Sequence, residues 1–130
     1  MNTSWLDIGN GLKIGFHNGQ WAVSAKNGIY PLKEEVDFSR IVSLLEKPFN
    51  EVSVIESSVG HTFPFGMVVK AGLASASDYW AGLALVWLVE LSEDEKVNFF
   101  DQLAAVSEAK WASQKTRQIA KREIKYLQAM

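Results

Sequence analysis

Leu12-Lys13-Ile14-Gly15-Phe16-His17-Asn18-Gly19-Gln20-Trp21-Ala22-Val23-Ser24-Ala25 is the stretch on which the fold turns. Asn-Gly is the strongest short hairpin signal, because a type I′ turn needs positive φ at both central residues. A two-residue turn at Asn18-Gly19 pairs Phe16 with Trp21, Ile14 with Val23 and Leu12 with Ala25. All six side chains then share one face. A second Asn-Gly, at Asn27-Gly28, pairs Ala25 with Tyr30 and Val23 with Leu32 on that same face. Slipping either pairing by one residue would turn the apolar set to solvent. A third Asn-Gly lies in the loop Gly9-Asn10-Gly11, which sets Ile8 opposite Leu12 and Leu6 opposite Ile14. The other face carries Lys13, Gly15, His17, Ser24 and Lys26 and is expected to be wet. Pro31 has no N–H for a ladder, so the strand Ile29–Leu32 is expected at an edge.

Beyond the meander the period changes. Asp37 is a candidate N-cap for a helix over Phe38–Lys47, with Phe38, Ile41, Val42 and Leu45 at helical spacing and Pro48 ending it. Val52, Val54 and Ile55 suggest a fifth strand. Ser57 to Gly66 reads as a loop, and Phe65–Lys70 as either a last strand or a helix entry. Ser75 or Ser77 caps a helix through Tyr79, Trp80, Leu83, Ala84, Trp87, Leu88 and Leu91, apolar almost all round and so expected at the centre. Ser92-Glu93-Asp94-Glu95 is a capping box opening a helix with Val97, Phe100, Leu103 and Ala104. After a break near Ser107–Lys110, Thr116, Ile119, Ala120, Ile124 and Leu127 form the stripe of a last helix. The expected fold is α+β: an N-terminal antiparallel β-meander of four to five strands packed against three or four C-terminal α-helices. It forms one domain over 1–130, with 1–56 mainly β plus one helix and 75–128 helical.

Composition narrows the chemistry. The chain has 130 residues, 48% hydrophobic and 22% charged, which suits one globular domain. It has no cysteine, which removes thiol nucleophiles, disulfides and thiolate metal sites together. The segment Met1-Asn2-Thr3-Ser4-Trp5-Leu6-Asp7 has neither a basic nor an apolar region, so no signal peptide is expected. The longest apolar run, Tyr79 to Val89, is far short of the ~20 residues a bilayer needs. No membrane association and a cytoplasmic location are the expectations.

Catalytic and metal-binding patterns are sparse. His61 lies in the aromatic loop His61-Thr62-Phe63-Pro64-Phe65, near Ser57, Ser58 and Glu56, the raw material of a hydrolase relay. No nucleophile elbow accompanies it, and a loop-bracing role is the plainer reading. His17 sits beside a hairpin turn. Neither histidine has a metal-ligand spacing, and the Glu90–Glu95 carboxylates suit a helix dipole better than an ion. Hairpin turns explain the glycines around Gly9 and Gly15, so no phosphate loop is read. The expectation is no catalytic residue, no metal and no cofactor.

Charge is uneven. Residues 1–106 carry seven basic and thirteen acidic side chains, net −6; residues 107–130 carry six basic and two acidic, net +4. Lys115, Arg117, Lys121, Arg122 and Lys125 give a basic last helix that suits phosphates, although the pI of about 5.7 argues against a nucleic-acid binder. Trp111 and the His61–Phe65 loop are candidate interface aromatics.

The segment Asp78-Tyr79-Trp80 … Leu83-Ala84-Leu85 … Trp87-Leu88, followed by Ser113-Gln114-Lys115-Thr116-Arg117 … Ala120, resembles small bacterial immunity proteins. These neutralise polymorphic and contact-dependent growth-inhibition toxins. The resemblance spans about fifty residues, and Gln118 stands where that pattern has a histidine. It implies a single-domain cytosolic protein that binds one cognate toxin domain and blocks its active site. An acidic body suits a cationic nuclease groove. The candidate contacts are Glu34, Glu35 and Asp37 after the meander, Glu90, Glu93, Asp94 and Asp101 around the capping box, and His61 and Phe63 as a central anchor.

Overall fold

The computed structural model describes residues 4–129; Met1-Asn2-Thr3, which open the segment read for a targeting signal, lie outside them. Four strands form one antiparallel sheet in chain order: β1 Leu6–Gly9, β2 Leu12–His17, β3 Gln20–Ala25 and β4 Gly28–Pro31. The central hairpin has the expected register, with Phe16 opposite Trp21 and Ile14 opposite Val23. Its turn is left-handed at both Asn18 and Gly19, as a type I′ turn requires. The β4 strand lies at the edge, as Pro31 demands.

Two pairings differ from expectation. Val23 faces Tyr30 and Ala25 faces Gly28, so β4 is shifted by two residues. A shift of two keeps every side chain on its face, so the apolar pattern could not detect it. Among residues 26–28 only Gly28 has positive φ, which moves the turn to Lys26-Asn27. In the first hairpin Leu6 faces Ile14 as expected, but Gly9 faces Leu12 and Ile8 is the extra residue of a bulge. Ile8 remains buried. The outer sheet face is not uniformly wet either: Gly15 and Ala22, paired across β2 and β3, are both buried.

The elements after β4 are all helical. After α1 (Glu35–Phe38) comes a 3-10 segment, Ser39–Glu46, then α2 (Phe49–Val52), α3 (Val54–Val59) and α4 (Phe65–Leu73). They are followed by α5 (Asp78–Leu88), α6 (Glu93–Lys96), α7 (Phe100–Ser107) and α8 (Gln114–Gln128). Four of these helices have eight residues or more. Asp37 is not the N-cap of a Phe38–Lys47 helix. It lies inside α1, where its carboxylate accepts the backbone N–H groups of Lys33 (3.0 Å) and Glu34 (2.9 Å). The fifth strand does not form: Val52 and Ile55 belong to α2 and α3 and point inward at helical spacing. The β region therefore ends at Pro31, well before residue 56. The expected loop shrinks to 61–64, because α3 runs to Val59 and ends on left-handed Gly60.

Phe65–Lys70 resolves as helix, and α4 is the centre of the molecule. It packs against α1, the 3-10 segment, α5 and α7, with Val68 and Val69 fully buried. Gly72 allows the closest of these approaches: an added Cβ would lie 2.6 Å from Leu45 Cδ1 and 2.8 Å from Ala84 Cβ. Ser92 caps only one turn, its hydroxyl accepting from Glu95 N. A 3-10 turn over Val97–Phe99 then rotates the register, burying Phe99 and leaving Val97 and Phe100 exposed. Ser77 and Ser113 cap α5 and α8 by accepting from Trp80 N and Thr116 N. One hydrophobic cluster runs from Ile8 to Ala120 and joins sheet to helices.

Candidate functional site

The His61–Pro64 loop joins the sheet to the helical layer. Trp21 Nε1 donates to Thr62 O at 2.7 Å, and Phe63 N donates to the Glu56 carboxylate at 2.6 Å. His61 stacks on Phe16 with centroids 3.7 Å apart. Phe63, 5% exposed, meets Trp21 and Phe65 edge-on or tilted at 4.9 and 5.0 Å. Phe63 is therefore a core residue and not a surface anchor; desolvation of a large ring drives it inward. His61 braces the loop. Of the hydrolase candidates, Glu56 accepts from Phe63 N and the Ser57 hydroxyl donates to Val54 O at 2.9 Å. No cluster of three metal-ligating side chains occurs among the described residues.

The outer face of α4 forms a different kind of site. Gly66, Met67, Lys70, Ala71 and Ala74 recur at helical spacing along it. Two hollows meet there. One, of about 510 Å³, is lined by Pro64, Gly66, Met67, Lys70, Glu95, Asn98 and Phe99. The other, of about 410 Å³, is lined by Lys70, Ala71 and Ala74 together with Glu35, Val36, Ser39, Val42 and Ser75. Lys70 borders both, so they form one trough across α4. Its ammonium is ion-paired with Glu35. At the other end Glu95 leans over Gly66, where an added Cβ would lie 3.3 Å from the Glu95 carboxylate oxygen. Val36, 70% exposed, lies on the rim. The trough is thus mainly apolar at its Glu35 end and mixed at its Glu95 end, with Lys70 bordering both halves.

The other acidic candidates divide. Glu34 is exposed beside Glu35. The Asp37 carboxyl is held below its ordinary range by the Glu34 and Lys33 backbone N–H groups, so it serves α1. Asp94 and Asp101 are exposed. Glu90 and Glu93 turn toward α8. Glu90 shares a hollow with Arg122, and Glu93 accepts from the Tyr126 hydroxyl at 3.0 Å, which raises that phenol's pKa. Lys96 lies 5.3 Å from the Tyr126 ring centroid, so opposite charges interleave on that side.

On α8, Lys115, Lys121, Arg122 and Lys125 are exposed and Arg117 is half-buried, its guanidinium 3.5 Å from Ala109 O. Arg117 and Lys121 line a hollow of about 440 Å³ with Ser107, Glu108, Gln114 and Gln118. Trp111 is partly exposed at the turn before α8. Glu95, Lys70 and Met67 were not among the sequence candidates for a contact surface. The only trace of their proximity is a glycine at position 66, whose partner lies 29 residues away.

Residues 4–129 thus define a four-stranded meander backed by helices, with an acid-ended trough across the central helix. Comparison with family models, with curated proteins and with solved structures returned no match. Among the described residues, no helix is long and apolar enough to cross a membrane.

Proposed function

We propose that this is an immunity-type protein that binds a cognate bacterial toxin domain and neutralises it by occluding its active site. It works in the cytoplasm, by binding alone, with no cofactor. The observation that carries this reading is the α4 trough, where Glu35 and Glu95, sixty residues apart in the chain, border two shallow hollows that share Lys70. Acids around a shallow apolar surface steer and seat a cationic partner, and a nuclease groove is cationic because its substrate is a polyphosphate. Glu34 and Asp94, next in sequence to Glu35 and Glu95, are exposed.

The resemblance of Asp78–Leu88 and Ser113–Ala120 to immunity proteins points the same way. The two segments are physically joined: Ser113 N donates to the Asp78 carboxylate at 2.8 Å. Co-expression with the toxin domain encoded by the adjacent reading frame tests the proposal. Rescue of growth and co-purification as a stable complex are expected; neither rescue nor complex would end it.

A second reading rests on the hollow of Arg117 and Lys121 with Gln114 and Gln118, whose donors suit a phosphate backbone. It requires binding to nucleic acid that falls steeply with salt; no binding at about 50 mM salt removes it.

A further inference from the structure

The hollow between the end of α7 and the first turns of α8 differs from the others in its lining. Its six lining residues, Ser107, Glu108, Gln114, Arg117, Gln118 and Lys121, are all polar. The hollows on α4 and beside α5 each include valine, methionine or phenylalanine side chains. Gln114, Arg117, Gln118 and Lys121 stand at i, i+3, i+4 and i+7 of α8, so they share one face. An apolar partner surface gains nothing there, because it would cover donors without satisfying them.

The donors of this hollow are scarcely used within the chain. Arg117 is half-buried, and its guanidinium makes one hydrogen bond, to Ala109 O at 3.5 Å, the far limit for such a bond. The rest of its N–H fork is left over. Among the described residues, the side chains of Gln114, Gln118 and Lys121 make no hydrogen bond or ion pair. Glu108 shares the hollow with Arg117 and Lys121 yet pairs with neither, since the one ion pair among the described residues is Lys70 with Glu35. Two cations and a carboxylate thus stay apart around about 440 Å³, a volume in the range of small-ligand pockets.

We infer that this hollow binds a small phosphate monoester bearing hydroxyl groups, its phosphate on Arg117 and Lys121 and its hydroxyls on Glu108. The donors select the phosphate: a guanidinium fork matches two of its oxygens, an ammonium takes another, and the amides of Gln114 and Gln118 complete the shell. Glu108 selects the hydroxyls. A carboxylate repels phosphate but accepts from O–H, the pairing by which acidic side chains hold ribose. Glu108 also tells this ligand from a nucleic-acid strand. A strand brings a charge with every nucleotide and would set phosphates against Glu108 and against the net −6 of residues 1–106. A single phosphate feels chiefly its near neighbours, because exposed charges are screened beyond about 8 Å at physiological salt. This occupant differs from that of the second reading for the same hollow, and nothing in it depends on the toxin reading.

Titration of the isotope-labelled chain with ribose 5-phosphate, followed by amide chemical shifts, tests it. The expected result is a Kd of about 0.1–1 mM, in keeping with so small a ligand, with shifts confined to the end of α7 and the start of α8. Inorganic phosphate should bind about tenfold more weakly, and ribose without phosphate should not bind at about 10 mM. Lys121→Gln should weaken ribose 5-phosphate about tenfold. Glu108→Ala should weaken ribose 5-phosphate yet strengthen inorganic phosphate, because it removes an acceptor and a repelling charge together. Both residues are exposed, so the variants keep the fold, and opposite signs for two ligands do not arise from a damaged one. Ribose 5-phosphate that fails to bind by about 10 mM, that shifts amides elsewhere, or that is unmoved by Lys121→Gln overturns the inference. So does Glu108→Ala moving both ligands the same way. A short single-stranded oligonucleotide with hydroxyl ends that binds at these amides more tightly than ribose 5-phosphate assigns the hollow to a polymer backbone and overturns it equally.

Discussion

Gly72 and Gly82 show how differently one residue type can be surrounded: the first is crowded by three neighbours, and the second meets Thr116 Oγ1 at an ordinary 3.8 Å. Both lie inside helices, ten residues apart on neighbouring elements. At Gly72 a methyl group would strike Leu45, Ala84 and, at 3.1 Å, the Trp80 carbonyl. Side chains can yield, but that carbonyl is part of α5. Overpacking of this kind costs about 1–3 kcal/mol, beyond the gain of up to about 1 kcal/mol in helix propensity. Gly72→Ala should therefore destabilise the protein by about 1–2 kcal/mol net, read as a lower urea midpoint with unchanged slope. A neutral result would mean that α4 and α5 can separate without loss. Trp21 shows the same dependence on distant partners. Its ring is half of a cross-strand pair, and its Nε1–H holds the loop at Thr62. Alternation along β3 foretold the pairing, but nothing local to Trp21 foretold the loop.

Helices α5 and α8 begin at a shared carboxylate. Asp78 is the first residue of α5, and it accepts from the backbone N–H of Ser113, the N-cap of α8. That bond, helped by the Thr116 and Ser113 hydroxyls, holds the Asp78 carboxyl below the ordinary value of 3.8. A carboxyl depressed in the folded state contributes stability that is complete above its unfolded pKa and fades as pH falls through the folded one. Urea midpoints should therefore decline below about pH 4, where carboxyls protonate. Asp78→Asn should lower the midpoint at neutral pH and flatten that acid decline. An unchanged acid slope would show that the carboxylate does not couple the two helices.

Element boundaries tell a similar story. The Ser92 N-cap was legible, but the 3-10 turn after it was not, because that turn places Phe99 beside Gly66 of α4, a contact between distant segments. Val52 and Ile55 looked like strand residues because short apolar runs carry no decisive period. The Phe65–Lys70 segment was ambiguous for the same reason, and it became the central helix.

Across the protein, charge is arranged in two ways. On the α8 side Glu90, Glu93, Lys96, Arg122 and Tyr126 interleave, so the net +4 of the last segment is partly answered by its neighbours. Around the α4 trough Glu35 is ion-paired with Lys70, the one cation among the lining residues described. If that trough seats a cationic toxin domain, its rim charges govern the encounter rate more than the residence time. Glu35→Lys with Glu95→Lys should slow association about ten- to a hundredfold at low salt and flatten its dependence on ionic strength. Stopped-flow mixing with the partner checks this; an unchanged rate would move the interface elsewhere. The Glu95 substitution leans over Gly66, so the thermal midpoint of the free double variant is the necessary control.

The order of structure was legible because its signals are local. Asn18-Gly19 sets a turn by φ alone, alternation sets a face, and Ser77, Ser92 and Ser113 satisfy N–H groups within their own first turns. The acidic surplus and the missing thiol chemistry needed only counting. What the chain could not declare locally was which apolar surfaces would find partners. The β4 register is free by two residues on pattern alone, and Phe63 looks like an exposed loop aromatic until Trp21 and Phe65 close around it. Glu35 and Glu95 come to border adjoining hollows on α4 only when the chain folds. These are choices among equally apolar or equally charged alternatives, and close packing made them, because the interior leaves room for only one arrangement of side chains.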